Sequence, residues 1–530
     1  MTRQQSINET LSPPGRWNHV ANSRSGKAAL VVKTQPYRRR QMTKEHLFLA
    51  LDLGAESGRG ELVTLKDSKV SMREIHRFPN KPVRLMNTLH WNVLSLYDEI
   101  VATLRAAGKE GQKPISLSVD TWGVDFGLLG KDGKLLGNPV HYRDGRTEGI
   151  HNYSNRFMSL EDIYRATGCE PWTISSLFQL LSMQRDGSPL LEQAGTFLNM
   201  PDLFNYFLTG QASSELSIAN TSNLLGTDCH WSTEVMDAFS LDGRMFPKLV
   251  EPGTIVGPLT ADLAQLTDLG EVPVIATCGH DTSAAVAAIP GEGEDWAFLS
   301  CGTWSIVGRL IDHPITSSKC LKMGFTNEYT VGGWFLARNI LGLWLVQELR
   351  KKWHCADDGW DYPRMTAEAA SAESGPLINA GDPSLLAPAD MEQAILDLLA
   401  GAGDSKPPSR GQLVRCVLES LALEYDMRLR MVSELTGKSA SSIYMVGGGV
   451  ANKLLCQLTA NACGLRVYAG CDQCTALGNA LTQALAQGIL KNPQEIRDVM
   501  RRSFDLTVYQ PAQSQQWEAN RQKYADLVKA

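Results

Sequence analysis

Residues 52–59 read Asp52-Leu53-Gly54-Ala55-Glu56-Ser57-Gly58-Arg59, a glycine-bearing turn between two short, largely apolar runs. The runs, residues 47–51 and 61–65, have the length and composition of strands and together predict a β-hairpin. A tight turn of small residues points several backbone N–H groups at one spot, which suits phosphate oxygens. Asp52 is then placed to hold Mg²⁺, directly or through water, and Arg59 to neutralise phosphate charge. The alternative is a hairpin turn that needs glycine only for its backbone geometry.

The same layout returns about 250 residues later. A strand-like run at 296–299 leads into Ser300-Cys301-Gly302-Thr303-Trp304-Ser305, and a second run follows at 306–311. The backbone amides of Gly302 and Thr303, with the Thr303 hydroxyl, are suited to a terminal phosphate, although a plain hairpin turn would need the same residues. Two similar hairpins at this separation predict two related domains, each opening with a phosphate-sized turn.

The remaining pattern alternates strands and helices, which is typical of an α/β fold. Residues 115–119 and 124–129 are predicted to be paired strands. Residues 272–276 predict another strand, and residues 412–435 have helical spacing, with Gly437 placed to end that helix. A strand at 443–446, the turn Gly447-Gly448-Gly449 and a helix over 452–462 follow, and we place a hinge near Pro290-Gly291.

Gly279-His280-Asp281-Thr282 follows the strand predicted at 272–276 and opens a helix. Ligands of α/β proteins bind at that edge of the sheet. Phosphoryl transfer needs in-line positioning, charge neutralisation and one carboxylate that accepts the hydroxyl proton, and Asp281 suits the last role. The alternative is that Asp281 only caps the helix.

Composition narrows the class of protein. The chain has 530 residues, of which 43% are apolar and 20% charged, so we expect two soluble domains of ordinary size. A net charge of −6 without a basic stripe argues against nucleic acid as a partner, and no apolar run approaches the roughly 18 residues that span a bilayer.

The eleven scattered cysteines indicate reduced thiols and a cytoplasmic location. Cys471 and Cys474 have redox-motif spacing, but a plain loop is the favoured interpretation.

The first 41 residues differ from the rest. They are rich in Ser, Asn, Pro and Arg, end in Arg38-Arg39-Arg40 and contain one acid, Glu9. Such a segment cannot bury enough apolar surface to order itself, so residues 1–42 are predicted to be a disordered extension. An organelle transit peptide, also rich in Arg and Ser, is the alternative.

The order of the motifs resembles one family. A phosphate turn, an acid at a strand end, a second phosphate turn and a glycine-rich turn, in this order, are similar to the FGGY carbohydrate kinases of the actin-like ATPase superfamily. The likeness covers residues 47–502, nearly the whole of the chain that we expect to be ordered. The resemblance is based on five sequence segments: residues 74–78, 120–126 (Asp-Thr-Trp-Gly-Val-Asp-Phe), 142–147, 200–204 and 339–344.

The resemblance implies a role for each matching residue. Asp281 would be the catalytic base of an ATP-dependent sugar kinase that phosphorylates a small ketose with Mg²⁺. The positions implied at ATP are Ala55, Glu56, Ser57, Gly58, Arg59, Thr303, Gln347 and Gly448. Those implied at the sugar are Gly123, His280, Asp281, Thr282 and Asn339. Two features depart from the family's pattern: Glu56 replaces a common small residue, and Thr459 leaves Cys463 without the cysteine that some relatives pair with it.

The resemblance also implies the architecture: two ribonuclease H-like (actin-like ATPase) domains with a cleft between them. We place the sugar-binding side at 43–290, the nucleotide-binding side at 291–510 and a tail at 511–530, and expect a monomer or small homo-oligomer. A kinase of the same fold acting on L-fuculose, xylulose or glycerol would share the catalytic residues. An actin-like ATPase switched by nucleotide, without a sugar substrate, is the alternative from another class.

Overall fold

The computed structural model describes residues 44–356, 359–402, 408–512 and 515–529. The extension predicted for residues 1–42 lies outside this part. The strands of the first half are β1 (His46–Leu53), β2 (Ser57–Lys66), β3 (Lys69–Pro79), β4 (Val83–Leu85), β5 (Thr88–His90), β6 (Leu117–Thr121), β7 (Phe126–Gly130), β8 (Ala194–Asn199), β9 (Ser214–Glu215), β10 (Leu249–Val250), β11 (Thr254–Pro258) and β12 (Pro273–Ala276). Its helices are α1 (Val93–Gly108), α2 (Ile150–Ser154), α3 (Leu160–Thr167), α4 (Ser176–Arg185), α5 (Pro189–Gln193), α6 (Met200–Thr209), α7 (Leu216–Asn220), α8 (Thr233–Ala238), α9 (Ala261–Thr267) and α10 (Asp281–Ala287).

The second half repeats the alternation of strands and helices. Its strands are β13 (Trp296–Cys301), β14 (Trp304–Ile311), β15 (Thr326–Thr330), β16 (Gly333–Leu341), β17 (Ser442–Val446), β18 (Arg466–Ala469) and β19 (Thr507–Tyr509). Its helices are α11 (Ser318–Lys322), α12 (Trp344–Ala356), α13 (Tyr362–Ser371), α14 (Met391–Gly401), α15 (Arg410–Thr436), α16 (Lys453–Cys463), α17 (Cys474–Ala486), α18 (Pro493–Ser503) and α19 (Gln515–Lys529).

Each half is built on one large sheet. The first sheet has the order β11-β12-β6-β1-β2-β3, and the second has the order β15-β16-β14-β13-β17-β18-β19. In both, the first strand of the glycine-bearing hairpin pairs antiparallel with the second and parallel with a later strand, β6 for β1 and β17 for β13. The two predicted hairpins therefore occupy equivalent places in two related α/β halves, which confirms the predicted fold class.

One predicted strand pairing is wrong. Strand β7 pairs antiparallel with β8, whereas β6 lies between β1 and β12. Both runs are strands, as the apolar pattern indicates, but the chain leaves the sheet at residues 122–125 with Val124 in a left-handed backbone conformation. Apolar runs predict that a segment is a strand and do not choose its partner.

Helix α15 agrees with its prediction. It begins at a capping box between Ser409 and Gln412 and ends at Gly437, which adopts φ 67°. These two local signals satisfy backbone groups that a helix end leaves free. The segment predicted as a tail, residues 511–530, contains α19, whose Trp517 and Tyr524 are buried in the core cluster that also includes residues of α15. Within the described residues, no helix has the length and apolar character that a bilayer crossing requires.

Two helices join the halves. Helix α10 packs on α17 so closely that a Cβ added at Gly478 would lie 1.8 Å from the carbonyl oxygen of Ala284. From the same helix α17, the amides of Asn479 and Gln483 reach the first sheet. Gln483 donates to the Leu49 carbonyl at 3.0 Å, and Asn479 donates to the Asp120 carboxylate at 2.6 Å. The second half is thus bonded to the strands that carry the first phosphate turn.

Candidate active site

The five residues predicted at the sugar line one cavity of about 720 Å³, which we call the sugar-side cavity. It lies between the ends of the first sheet and the strands β14 to β16 of the second. Aromatic side chains form part of its wall, among them Trp122, Tyr142 and Trp304. The predicted residues on its lining are Gly123, His280, Asp281, Thr282 and Asn339.

Asp281 is the first residue of α10. The N-cap position belongs to His280, so the interpretation of Asp281 as the N-cap itself is wrong. Its Oδ1 accepts hydrogen bonds from the Thr282 N–H at 2.6 Å and from the Thr282 hydroxyl at 3.2 Å. One third of the Asp281 side chain remains exposed, on the side of the cavity. The carboxylate is therefore oriented by its own helix and open to a ligand.

His280 lies between two carboxylates. Its Nε2 is 3.5 Å from Asp281 Oδ1, and its Nδ1 is 3.1 Å from Oε2 of Glu328 on β15. Burial lowers the pKa of His280, but the carboxylate of Glu328, followed by Asp281 and Glu215, outweighs burial and raises the pKa above its ordinary value. The imidazole is therefore more protonated near neutral pH than a free histidine, and it connects the two halves at the cavity.

Glu215 holds the turn before Asp281, and sequence reasoning missed it. Its carboxylate accepts from the Gly279 N–H at 2.8 Å and from the backbone and hydroxyl of Ser217 at 2.8 and 2.6 Å. Burial raises the pKa of Glu215 to about 7. Glu215 is the last residue of the two-residue strand β9, far from Gly279 along the chain, so no local signal identified it.

The first phosphate turn is held by another residue that sequence reasoning missed. Asn80 donates from its side chain to the Gly54 carbonyl and from its backbone to the Glu56 carbonyl, both at 2.9 Å. The Gly54 N–H donates to the Ser57 carbonyl at 2.9 Å, which closes the turn. Glu56 points to solvent, so its departure from a small residue adds no side chain inside the turn. Ala55 completes the loop, and Ser57, Gly58 and Arg59 are the first residues of β2.

Two buried carboxylates lie next to each other behind this turn. Asp52 and Asp120 are partners in the parallel register of β1 and β6, and Arg59 Nη2 lies 3.0 Å from Asp52 Oδ2. Burial raises the pKa of Asp52, and burial and Asp52 raise the pKa of Asp120, with Asp281 contributing to both shifts. Asp120 Oδ1 is buried and has no hydrogen-bond partner among the described residues. The unpartnered oxygen of Asp120 beside Asp52 suits a hard divalent cation such as Mg²⁺, but the described residues contain no group of three Asp, Glu, His or Cys side chains placed to hold a metal ion.

Three residues predicted at ATP line a second cavity, of about 1020 Å³, in the second half, which we call the ATP-side cavity: Thr303, Gln347 and Gly448. The turn at Thr303 is held by the segment that leads into α12, because the N–H of Leu343 donates to Gly302 and that of Trp344 donates to Thr303. Thr303 lines this cavity and the adjacent Trp304 lines the sugar-side cavity. The second turn therefore separates the two cavities.

A buried carboxylate supports the aromatic wall of the sugar-side cavity. Asp125 is fully buried and accepts from the indole N–H groups of Trp91 at 2.6 Å and Trp122 at 3.0 Å, and from the Gln179 amide at 2.9 Å. It also accepts from the Tyr142 N–H at 3.3 Å. Burial raises the pKa of Asp125 to about 6. This residue stands in the quoted string 120–126, yet its support of the wall depends on contacts that only folding creates.

Replacing Asp125 by Leu should weaken sugar binding. The variant leaves the indole N–H groups of Trp91 and Trp122 without their acceptor, and hydrogen bonds to charged groups contribute about 1.5–3 kcal/mol. We expect the KM for the sugar to rise about tenfold and the KM for ATP to stay unchanged, because the ATP-side cavity shares none of these residues. Steady-state kinetics with each substrate varied in turn measures both. Equal changes in the two KM values would show a general loss of structure instead.

The three cysteines that the sequence singles out, Cys463, Cys471 and Cys474, line neither cavity. Cys463 is a buried free thiol. Thr459 donates from its hydroxyl to the Leu455 carbonyl within α16, so position 459 offers Cys463 no partner for a disulfide. Cys471 follows β18 and Cys474 opens α17, and both are buried free thiols. The interpretation of this pair as a plain connection stays a prediction.

Comparison with known families agrees with this geometry. The FGGY carbohydrate kinase N-terminal domain matches residues 47–288, and the C-terminal domain of the same family matches residues 297–487. The chain therefore belongs to the FGGY family of carbohydrate kinases. It is an ATP-dependent sugar kinase.

Relatives and solved structures show how far the likeness extends. The chain is 39% identical over 475 residues to a rhamnulokinase of Bacteroides thetaiotaomicron, which covers 89% of this chain and 97% of that protein. It is 35% identical to a rhamnulokinase of Enterococcus faecalis, over 89% of this chain and 96% of the relative. Gluconate kinase from Lactobacillus acidophilus has a TM-score of 0.75 at 17% identity, and the match covers 92% of this chain and 97% of the gluconate kinase chain. Plasmodium falciparum glycerol kinase with ADP has a TM-score of 0.74 at 15% identity, and the match covers 91% of this chain and 98% of the kinase chain. At such identities these two structures show the fold alone.

Proposed function

We propose that the protein transfers the terminal phosphoryl group of ATP to the C1 hydroxyl of L-rhamnulose, giving L-rhamnulose 1-phosphate and ADP in the breakdown of rhamnose. The observation that carries the proposal is the place of Asp281, whose partly exposed carboxylate lines the same cavity as the other predicted sugar residues. The identity to proteins named rhamnulokinase, over nearly their whole length, supports the choice of sugar.

In the proposed mechanism, the Asp281 carboxylate accepts the proton of the C1 hydroxyl as its oxygen attacks in line. The Thr282 bonds keep the other face of that carboxylate occupied, so its free lone pairs face the sugar. His280, Thr282 and Asn339 orient the ketose. Closure of the two halves would exclude water, which is itself a competent nucleophile toward ATP.

In the proposed mechanism, the two turns bind the phosphates and stabilise their negative charge. The backbone N–H groups of residues 55–58 and of Thr303 would bind the phosphate oxygens, and Arg59 would neutralise developing charge. The Gly302 N–H donates to the Trp304 carbonyl at 2.9 Å, so it would contribute only if this bond opens. Gln347 and Gly448 line the adjoining cavity, where we place the rest of ATP. Asp52, with Asp120 beside it, would hold Mg²⁺, directly or through water. A bound Mg²⁺ would neutralise phosphate charge and orient the phosphoryl group.

Replacing Asp52 by Asn should raise the Mg²⁺ concentration needed for half-maximal activity. One negative charge is removed from the carboxylate group behind the turn, and loss of such a group costs about 10–100-fold in metal affinity. Titration of activity with MgCl₂ at saturating ATP measures the shift, and calorimetric titration of Mg²⁺ into the enzyme with a non-hydrolysable ATP analogue measures it without turnover. Asp67→Asn, at an exposed turn between β2 and β3, is the control. A D52N enzyme with unchanged Mg²⁺ dependence would exclude Asp52 from the metal site.

An assay of ADP production with a panel of ketoses and with glycerol tests the proposal. L-rhamnulose should give the highest kcat/KM, above L-fuculose, xylulose and glycerol. A higher value for one of those three would assign the chain to another sugar specificity in the same family. Hydrolysis of ATP that is independent of every sugar would favour a nucleotide-switched ATPase and contradict the proposal.

We also propose that the domain boundary lies near Pro290, that the enzyme is cytoplasmic and that it is a monomer or small homo-oligomer. The gap between the two family matches, residues 289–296, supports the boundary. Limited proteolysis that cuts first at this gap would agree with it. Light scattering after size-exclusion chromatography measures the oligomeric state, and a large assembly would contradict the last proposal.

A further inference from the structure

Val124 adopts a backbone conformation that its side chain disfavours. Its φ is 70°, and among the described non-glycine residues with positive φ it alone is β-branched. A left-handed conformation is rare for any residue with a Cβ, and the two branches of valine make it rarer because they crowd the backbone. Glycine or asparagine would adopt this conformation more readily.

The surroundings impose this conformation. The Val124 N–H donates to the Thr221 hydroxyl at 2.9 Å, and the Val124 carbonyl accepts from the Ser176 hydroxyl at 2.6 Å and the Gln179 amide at 3.2 Å. Gln179 is bonded in turn to the buried carboxylate of Asp125. The backbone of this residue is therefore held on both sides, and strain retained in this way is characteristic of functional positions.

Val124 lines the sugar-side cavity, between neighbours that leave little freedom. A Cβ added to the preceding Gly123 would lie 3.3 Å from the His280 ring and 3.1 Å from a Thr221 methyl, so a side chain there would have to displace these neighbours by a few tenths of an ångström. The chain thus carries a branched apolar group at the very next residue, where the backbone alone would favour glycine. The side chain, rather than the backbone, is the reason to keep valine.

We propose that Val124 is a specificity-determining residue that favours a 6-deoxy ketose over the same sugar with a C6 hydroxyl. The inference rests on the proposed function. Every carbon of L-rhamnulose carries oxygen except C6, which is a methyl group. An isopropyl group offers such a methyl group apolar contact and offers a hydroxyl group no hydrogen-bond partner, so the hydroxyl would lose its water without compensation. L-fructose is the matched sugar, because it differs from L-rhamnulose only by the C6 hydroxyl.

Two variants separate the side chain from the backbone. Val124→Gly removes the isopropyl group and relieves the backbone, whereas Val124→Thr keeps the branched shape and adds a hydroxyl group. The measured quantity is the ratio of kcat/KM for L-rhamnulose to that for L-fructose, together with the Tm and the KM for ATP. Met86→Gly is the control for relief of strain, since Met86 has φ 53°, is 91% exposed and lies outside this cavity.

We expect both Val124 variants to lower the ratio about tenfold, a usual size for discrimination of one small group by an apolar pocket. The Tm should rise or stay level in V124G and in M86G, and M86G should leave the ratio unchanged. An unchanged ratio in both Val124 variants, in an enzyme that phosphorylates L-rhamnulose, would overturn the inference and leave the proposed function intact. A wild-type enzyme without activity on L-rhamnulose would overturn the proposed function itself.

Discussion

Replacing Asp281 by Asn is expected to lower kcat about 10²- to 10⁴-fold while ATP binding stays nearly intact. The amide has almost the shape of the carboxylate and can still accept the Thr282 hydrogen bonds, but it cannot take a proton from the sugar hydroxyl. Loss of the charge in the first turn of α10 costs only about 0.3–1 kcal/mol of helix-dipole stabilisation, so the helix should remain folded. Single-turnover kinetics measures the chemical step, and titration with a fluorescent ATP analogue measures binding.

The control for this variant is Asp262→Asn. Asp262 also lies in the first turn of a helix, α9, and is exposed away from the cavities. Its replacement removes the same charge from an equivalent local position and should leave kcat within about twofold, since exposed helix-terminal charges contribute only about 0.3–1 kcal/mol to stability. Near-normal turnover in D281N would remove Asp281 from the mechanism.

Replacing Gly478 by Ala is expected to damage the junction of the two halves. The new methyl group would lie 1.8 Å from the Ala284 carbonyl oxygen, a separation that two atoms cannot adopt, so α10 and α17 must move apart. Alanine improves helix propensity by about 1 kcal/mol. Overpacking against backbone costs about 1–3 kcal/mol, which exceeds that gain at all but the low end of the range. Since α10 begins at Asp281, we expect kcat to fall about 10²-fold as well, the effect of a displacement near 1 Å.

Differential scanning calorimetry and steady-state kinetics measure the two effects. Gly401→Ala is the matched control, because Gly401 ends α14 and a Cβ there meets no atom within 4 Å. That variant should keep its Tm and its activity. A G478A enzyme that is as stable and active as wild type would mean that the two helices can separate without consequence for Asp281, the proposed catalytic carboxylate.

Much of the local structure was predictable because its signals are local. The two glycine-bearing hairpins follow from apolar runs flanking small residues, and α15 follows from its spacing and Gly437. Asp281 could be chosen as a candidate because it follows a strand and opens a helix. Each of these features depends on residues within a few positions of one another, where sequence determines conformation.

The residues that hold the candidate site could not be found in this way. Asn80 bonds the first turn, Glu215 bonds the turn at Gly279, and Asp125 supports Trp91 and Trp122. Their partners lie between 3 and 64 residues away along the chain. A buried Asp, Glu or Asn looks the same in a sequence as an exposed one until the partner is known. The wrong pairing of β7 has the same origin.

The amino-acid sequence by itself indicated the two glycine-bearing hairpins, helix α15, the family, and Asp281 as the candidate catalytic carboxylate. Only the tertiary structure decided that α17 bonds the second half to the first sheet, that Glu328 contacts His280, and that Val124 keeps its side chain in a backbone conformation suited to glycine. The physical reason is the range of the interactions. Turns and helix ends are stabilised by neighbouring residues, whereas buried charges and close helix contacts depend on groups that meet only when the chain has folded.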